Sequence, residues 1–237
     1  MSNSYFRFKQ FTIHQDRCAM KVCTDACIFG AWFANKNLSA DRILDIGSGT
    51  GLLMLMLAQM QKSIIEGIEI DSNCFQQLQE NVSQSKWSER LVVRQGDIKT
   101  FRSELAYDFI ISNPPFHENS LNSPSVESNL ARHSAELNLD ELIISIDQHL
   151  SSTGSFAVLL PYYRSEYFES IALKEKFHLT EKVSISQSPN HKYFRSILHY
   201  SRTPQHQPSI SELTIQNESR EYTNEFVELL KDYYLYL

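Results

Sequence analysis

Residues 43–60, ILDIGSGTGLLMLMLAQM, restrict the possible folds more than any other stretch of the chain. A short apolar run, ILDI at 43–46, enters a glycine-rich turn and leaves as an apolar helix pattern. The step repeats: SIIEGIEID (63–71) reads as a strand and SNCFQQLQENVSQS (72–85) as an amphipathic helix. LVVRQGD (91–97), YDFIISN (107–113) and GSFAVLLP (154–161) supply further strands. LDELIISIDQHL (139–150) and RSEYFESIALKEK (164–176) supply helices. Strands alternating with helices at this rhythm give a parallel sheet covered on both faces, and right-handed crossovers make it doubly wound α/β. FHLTEKVSIS (177–186) and YFRSILHYSR (193–202) are split only by QSPNHK, too short for a crossover, so they form an antiparallel pair.

At 237 residues the chain is expected to be one domain, 1–237. Residues 1–40 are too short for a core of their own and are expected to cover the top of the sheet. Residues 41–203 form the α/β core, and 204–237 an extension with the strand-like ELTIQ and a helix from Tyr222. No apolar run is long enough to span a bilayer and the start lacks the succession of a signal peptide, so a soluble cytoplasmic protein is expected. Four cysteines argue against a disulfide scaffold. The spacing of Cys18, Cys23 and Cys27 does not match paired C-x2-C zinc ligands, so thiols and no metal are expected. A net charge of −6 advertises no global nucleic-acid surface. Arg7, Lys9, Arg17 and Lys21 are either a local phosphate grip or scattered solvated charges.

Three of the seven glycines, Gly47, Gly49 and Gly51, fall within five positions between a strand and a helix. Such a loop lets a ligand approach main-chain N–H groups closely. Asp45 stands just before it, where a diphosphate would be repelled, and the spacing differs from G-x-G-x-x-G. Glu69, at the end of the second strand, occupies the place that hydrogen-bonds a ribose diol in doubly wound folds. Asp71 is read as the cap of the next helix. Asp97, ending the third strand, either accepts from an adenine amine or caps a helix. Together these residues describe a pocket for an adenosine with an amino-acid tail and no phosphates, which is S-adenosylmethionine.

The stretch ISNPPFHEN (111–119) stops the fourth strand, because each proline lacks a backbone donor and fixes φ. It leaves a rigid shelf carrying the Asn113 carboxamide, the Pro114 carbonyl and the Phe116 ring. An amine conjugated to a ring is a poor nucleophile. If Asn113 and Pro114 each accept one of its N–H groups, the lone pair turns toward an electrophile while Phe116 stacks on the base. His117 and His133 are either bases for this chemistry or surface or RNA-contacting imidazoles.

LDIGSGTG, IEID, GDI and NPPF, in this order, resemble the successive motifs of class I, Rossmann-like, S-adenosylmethionine-dependent methyltransferases that act on planar amino groups. The resemblance implies a seven-stranded, mostly parallel sheet with an antiparallel final hairpin strand and helices on both faces. It places Gly47, Gly49 and Gly51 at the methionine end of the cofactor with Asp45 beside them. Glu69 takes the ribose, Ile70 and Ile98 flank the adenine, and Asp97 takes its amine. Asn113 is shared between cofactor and substrate.

The ends of the chain, above all QDRCAMKVCTDACIFGAW (15–32), resemble the bacterial tRNA methyltransferases that modify N6 of adenosine 37 in valine tRNA. That resemblance implies Lys21, Thr24 and Asp25 as closing residues of the pocket, where Thr24 and Asp25 also suit a helix cap. It departs at Cys23 and Ala26, where that family favours glycine. A flipped-out adenine in an anticodon loop would then be the substrate, with Arg7, Lys9, Arg17, Lys192 and Arg195 gripping phosphates. Guanine-N2 and release-factor glutamine methyltransferases share the NPPF chemistry and remain alternatives, as does an inert S-adenosylmethionine- or RNA-binding module.

Overall fold

The computed structural model describes residues 3–115, 138–204 and 206–237. The chain opens with a small antiparallel pair, β1 (Tyr5–Arg7) and β2 (Thr12–His14), followed by α1 (Thr24–Ala34). The main sheet takes β3 (Arg42–Ile46), β4 (Ile64–Glu69), β5 (Leu91–Gln95), β6 (Tyr107–Ser112), β7 (Leu150–Pro161), β8 (His178–Ser186), β9 (Tyr193–Ser201) and β10 (Ser209–Thr214). The α-helices joining and covering it are α2 (Leu52–Met60), α3 (Ser72–Ser83), α4 (Leu139–His149), α5 (Ser165–Lys174) and α6 (Asn224–Leu230).

The strand order is β10-β8-β9-β7-β6-β3-β4-β5. β9 runs antiparallel to β8, as the short 187–192 connection requires, and also antiparallel to β7. The sheet has eight strands where seven were expected, because β10, the expected strand-like segment, pairs in parallel with β8 and extends the edge. The chain builds outward through β3, β4 and β5, then returns to place β6 on the other side of β3. That reversal is a topological switch point, and its crevice opens at the strand C-termini.

Alternation along the strands feeds two cores, one per face. Ile43, Phe109, Ile111, Ala157 and Leu159 pack with α1, α2 and α6. Leu44, Ile46, Ile110, Phe156, Val158 and Leu160 pack with α4 and α5. The first core also takes Phe8, Phe11 and Ile13 from the start of the chain and Phe226, Leu230 and Tyr233 from its end. A helix at α1 is signalled in the sequence only by the cap alternative at Thr24 and Asp25. Nine of its residues are buried, so it is apolar on nearly every side and shows no periodic stripe. It lies so close to α2 that a Cβ at Gly30 would stand 2.7 Å from Met56 Sδ.

A candidate active site at the switch point

A cavity of about 490 Å³ opens at the C-terminal ends of β3, β4, β5 and β6. Its floor is the glycine turn. Gly47, Gly49 and Gly51 take φ of 73°, 53° and 83°, a region that side chains disfavour. Gly47 and Gly49 line the cavity, and a Cβ on either would meet nothing within 4 Å, so the backbone faces open space. Gly51 lies beneath, where a Cβ would stand 2.7 Å from Leu78 Cδ1. The N–H groups of Gly47 and Ser48 both donate to the Ile68 carbonyl, at 3.0 and 3.1 Å, which pins the turn to β4.

Asp45, expected beside the cofactor, is fully buried just before that turn and is not part of the lining, and neither carboxyl oxygen has a partner among the described residues. Burial, reinforced by the charge of Glu69, pushes its carboxyl up to about 8. Glu69 lines the cavity and is held from both sides. Its Oε2 accepts from Gly49 N–H and its Oε1 from Asp71 N–H, each at 2.8 Å. Each carboxylate oxygen has a second lone pair, so two hydroxyls of a ligand can still be accepted. Asp71 caps α3 by accepting from Asn73 and Cys74 N–H, as expected.

Asp97 and Ile98 line the opposite wall with Ile68 and Ile70. No helix follows Asp97; its Oδ1 accepts from Lys99 N–H at 2.9 Å in a local turn, so the helix-cap alternative does not apply. The fourth wall is Ser112-Asn113-Pro114-Pro115. Ser112 Oγ donates to the Ile46 carbonyl at 2.9 Å, locking the end of β6 against β3 immediately before the shelf.

Arg17, Ala19 and Met20 complete the lining from the N-terminal segment. Met20 Sδ lies 4.0 Å from Asn113 Nδ2. Met20 was not anticipated, since an isolated methionine in a loop carries no pattern. Arg17, expected on phosphates, pairs with Glu80 of α3 at 2.8 Å. Beside it Cys18 and Cys74, expected as thiols, are joined as a disulfide with a Cα–Cα distance of 4.8 Å. Sequence spacing hid this pairing because 56 positions separate the two residues. Burial pushes the free thiols of Cys23 and Cys27 up to about 12. Among the described residues no three histidine, cysteine, aspartate or glutamate side chains gather as a metal site.

Several expected residues stand elsewhere. Lys21 donates to the carbonyls of Gln15 and Cys18 and is not part of the lining. Thr24 opens α1, and Asp25 beside it pairs with Arg195 Nε at 2.8 Å, tying α1 to β9. The cap of α1 is Cys23 in extended backbone, φ −129°, so neither Cys23 nor Ala26 needs glycine here. Arg7 is exposed on β1, and Lys9 reaches the Lys231 carbonyl. Lys192 lines a separate cleft. Phe116, His117 and His133 lie outside the described residues.

The methyltransferase small domain family matches residues 28–183. Two proteins named tRNA1(Val) (adenine(37)-N6)-methyltransferase are similar over almost their whole length. The one from Parabacteroides distasonis is 38% identical, with 99% of each chain covered. The one from Dyadobacter fermentans is 40% identical, with 98% of each covered. Among solved structures, a predicted O-methyltransferase from Agrobacterium tumefaciens superposes with a TM-score of 0.68 at 15% identity, covering 88% of this chain and 96% of its own. The glycopeptide N-methyltransferase MtfA complexed with (S)-adenosyl-L-methionine gives 0.56 at 10% identity, with 75% and 87% covered. These two likenesses speak to the fold alone.

Proposed function

The chain belongs to the tRNA1(Val) (adenine(37)-N6)-methyltransferase family, built on the methyltransferase small domain, and we propose that it methylates N6 of adenosine 37 in the anticodon loop of a valine tRNA. S-adenosylmethionine would supply an electrophilic methyl carbon on a sulfonium, the C–S bond breaking to leave S-adenosylhomocysteine as the product. The observation that carries the reading is one cavity with Gly47, Gly49 and Glu69 on one side and Asn113 and Pro114 on the other. A cofactor pocket and an amine-orienting shelf share that space.

The described residues fit this cofactor. The unpartnered Asp45 oxygens beneath the turn call for a cationic donor, which the ammonium of an amino-acid tail provides. The open backbone at Gly47 and Gly49 leaves room for that tail, and Glu69 keeps lone pairs for a ribose diol. Ile68, Ile70 and Ile98 form apolar walls for a flat base, with Asp97 at its edge to accept from an amine.

On the substrate side, the Asn113 side-chain oxygen and the Pro114 carbonyl each accept one N–H of the exocyclic amine. This turns its lone pair toward the cofactor pocket. Positioning and electrostatics supply the rate, and the methylated amine, now a strong acid, loses its proton to water. In this reading residues 1–237 act as one cytoplasmic domain, with 1–40 closing over the site.

Purified protein, methyl-labelled S-adenosylmethionine and unmodified valine tRNA, followed by mass spectrometry of the nucleosides, test it. The expected result is label in N6-methyladenosine at position 37, lost with Asn113→Ala. Label in guanosine, or no label in RNA but label on a release-factor glutamine when a release factor is supplied in its place, overturns the adenine assignment.

A further inference from the structure

A second cleft of about 640 Å³ lies on the same rim, lined by Tyr162, Tyr163, His191, Lys192, Tyr193 and Phe194. It shares no lining residue with the first. Tyr162 and Tyr163 leave the C-terminal end of β7, while His191 to Phe194 lead into β9, and Pro161 pairs with Arg195 across the two strands. β7 is the neighbour of β6, which ends at the Asn113 shelf. Two strand spacings separate β6 from β9, about 10 Å.

The lining is unusual for a surface with no partner. The rings of Tyr162 and Tyr193 lie with centroids 5.1 Å apart, and Tyr163 beside them is 67% exposed. Lys192 is exposed and has no ion pair or hydrogen bond among the described residues. His191 is held in place by Ser188 Oγ, 2.7 Å from its Nδ1. Of the nearby charges, Lys182, 5.9 Å from the Tyr162 ring, pairs with Glu169, Arg195, 5.7 Å from the Phe194 ring, pairs with Asp25, Arg164 lies over the Tyr167 ring, and Glu212 engages the Tyr193 hydroxyl. The chain carries −6 overall, yet here it presents π-faces beside a cation that is unpaired among the described residues.

We propose that this cleft holds a nucleotide flanking the target adenosine, its base stacked on Tyr163 and its phosphate at Lys192. The inference rests on the RNA methyltransferase reading above. Aromatic faces beside a cation suit single-stranded nucleic acid, because every base has a π-face and every linkage a negative charge. A target base drawn out of its stack also unstacks its neighbours, which then need a new surface close to the catalytic shelf. Proximity to that shelf and exposed ring faces beside the cation favour RNA over an acidic or apolar peptide.

The test uses the full-length protein and an anticodon stem-loop RNA with 2-aminopurine in turn on either side of the target adenosine. Stacking should quench the probe at one of the two positions with the natural protein and with Tyr163→Phe, and not with Tyr163→Ala. In steady-state methylation, Tyr163→Ala and Lys192→Glu should each raise KM for RNA roughly tenfold while kcat and cofactor affinity stay within about twofold. Methylation with unchanged RNA KM in both variants, and no quenching, overturns the cleft and leaves the reaction standing. Quenching that depends on Tyr163 without methylated adenosine keeps the cleft and overturns the reaction. Loss of a protein dimer in Tyr163→Ala, with RNA KM unmoved, assigns the surface to a second copy of the chain and overturns the proposal.

Discussion

Asp45 sets the sharpest conflict at the scale of single residues. Its carboxyl is raised from 3.8 to about 8, first by burial and then by Glu69, so the folded protein holds a proton there that the unfolded chain releases. Stability from this group is therefore greatest below about pH 4, falls as pH rises toward 8, and changes little beyond. Asp45→Asn should remove that slope and stabilise the cofactor-free protein at pH 8 by a few kcal/mol, on the order of what such a shift represents. The gain should shrink on moving to pH 5. Thermal melts across that range check it, and a natural protein whose stability rises between pH 5 and 8 relative to the variant would contradict it. The same substitution should weaken S-adenosylmethionine binding at least tenfold by calorimetry, because a charge that opposes folding is kept to meet a cation. The glycine turn separates the same two quantities. Gly49→Ala places its Cβ in open cavity and should cost only about 1–2 kcal/mol of backbone strain, while filling the space the cofactor needs. Gly51→Ala pushes on Leu78 and should lose more stability, as urea titration beside a binding curve would show.

Elements are tied below the sheet by Glu66 of β4. Its carboxylate accepts from Arg94 Nε at 2.9 Å and from the Tyr107 hydroxyl at 2.8 Å, and lies 3.4 Å from Arg42. Four neighbouring strands thus meet at one buried side chain. Glu66→Ala should cost about 3 kcal/mol in a urea titration, most of it from the stranded Tyr107 hydroxyl and Arg42 guanidinium, since Arg94 is mostly exposed. A loss below about 1 kcal/mol would show that water takes over these contacts. The sequence gives no sign of Glu66's role, because a carboxylate in a strand does not reveal which distant strands it will bridge. Legibility followed the range of the signal. The alternation of strands and helices, the 177–202 hairpin and the cap at Asp71 were readable because period and turn chemistry are local. α1 offers only the cap alternative at Thr24 and Asp25, because burial on nearly every side erases its stripe. The Cys18–Cys74 pair and the Tyr162–Tyr193 cleft were hidden because tertiary folding alone brings their halves together.

At the scale of the molecule, the two ends of the chain close one core against α2, the helix that begins at the glycine turn. Lys9 N–H donates to the Tyr233 carbonyl at 2.8 Å, and the rings of Phe6 and Phe8 lie 5.8 and 6.0 Å from that of Tyr234. The Tyr233 hydroxyl, itself buried, donates to the Met56 carbonyl of α2 at 3.1 Å. No C-terminal residue lines the cavity at the switch point, so a view confined to the site makes the tail dispensable. Packing says otherwise. Removing residues 224–237 exposes the pockets of Phe226, Leu230 and Tyr233, all fully buried, at about 2 kcal/mol each. A loss near 6 kcal/mol is comparable with the whole margin of a domain and corresponds to a fall in Tm of more than about 10 °C. The shortened protein should therefore melt far earlier and bind S-adenosylmethionine poorly, because α2 no longer holds the turn. Tyr236→Ala, at a residue 89% exposed, should change neither quantity. If the shortened chain kept its Tm and its cofactor affinity, the closure of α2 by the chain ends would have no part in forming the site.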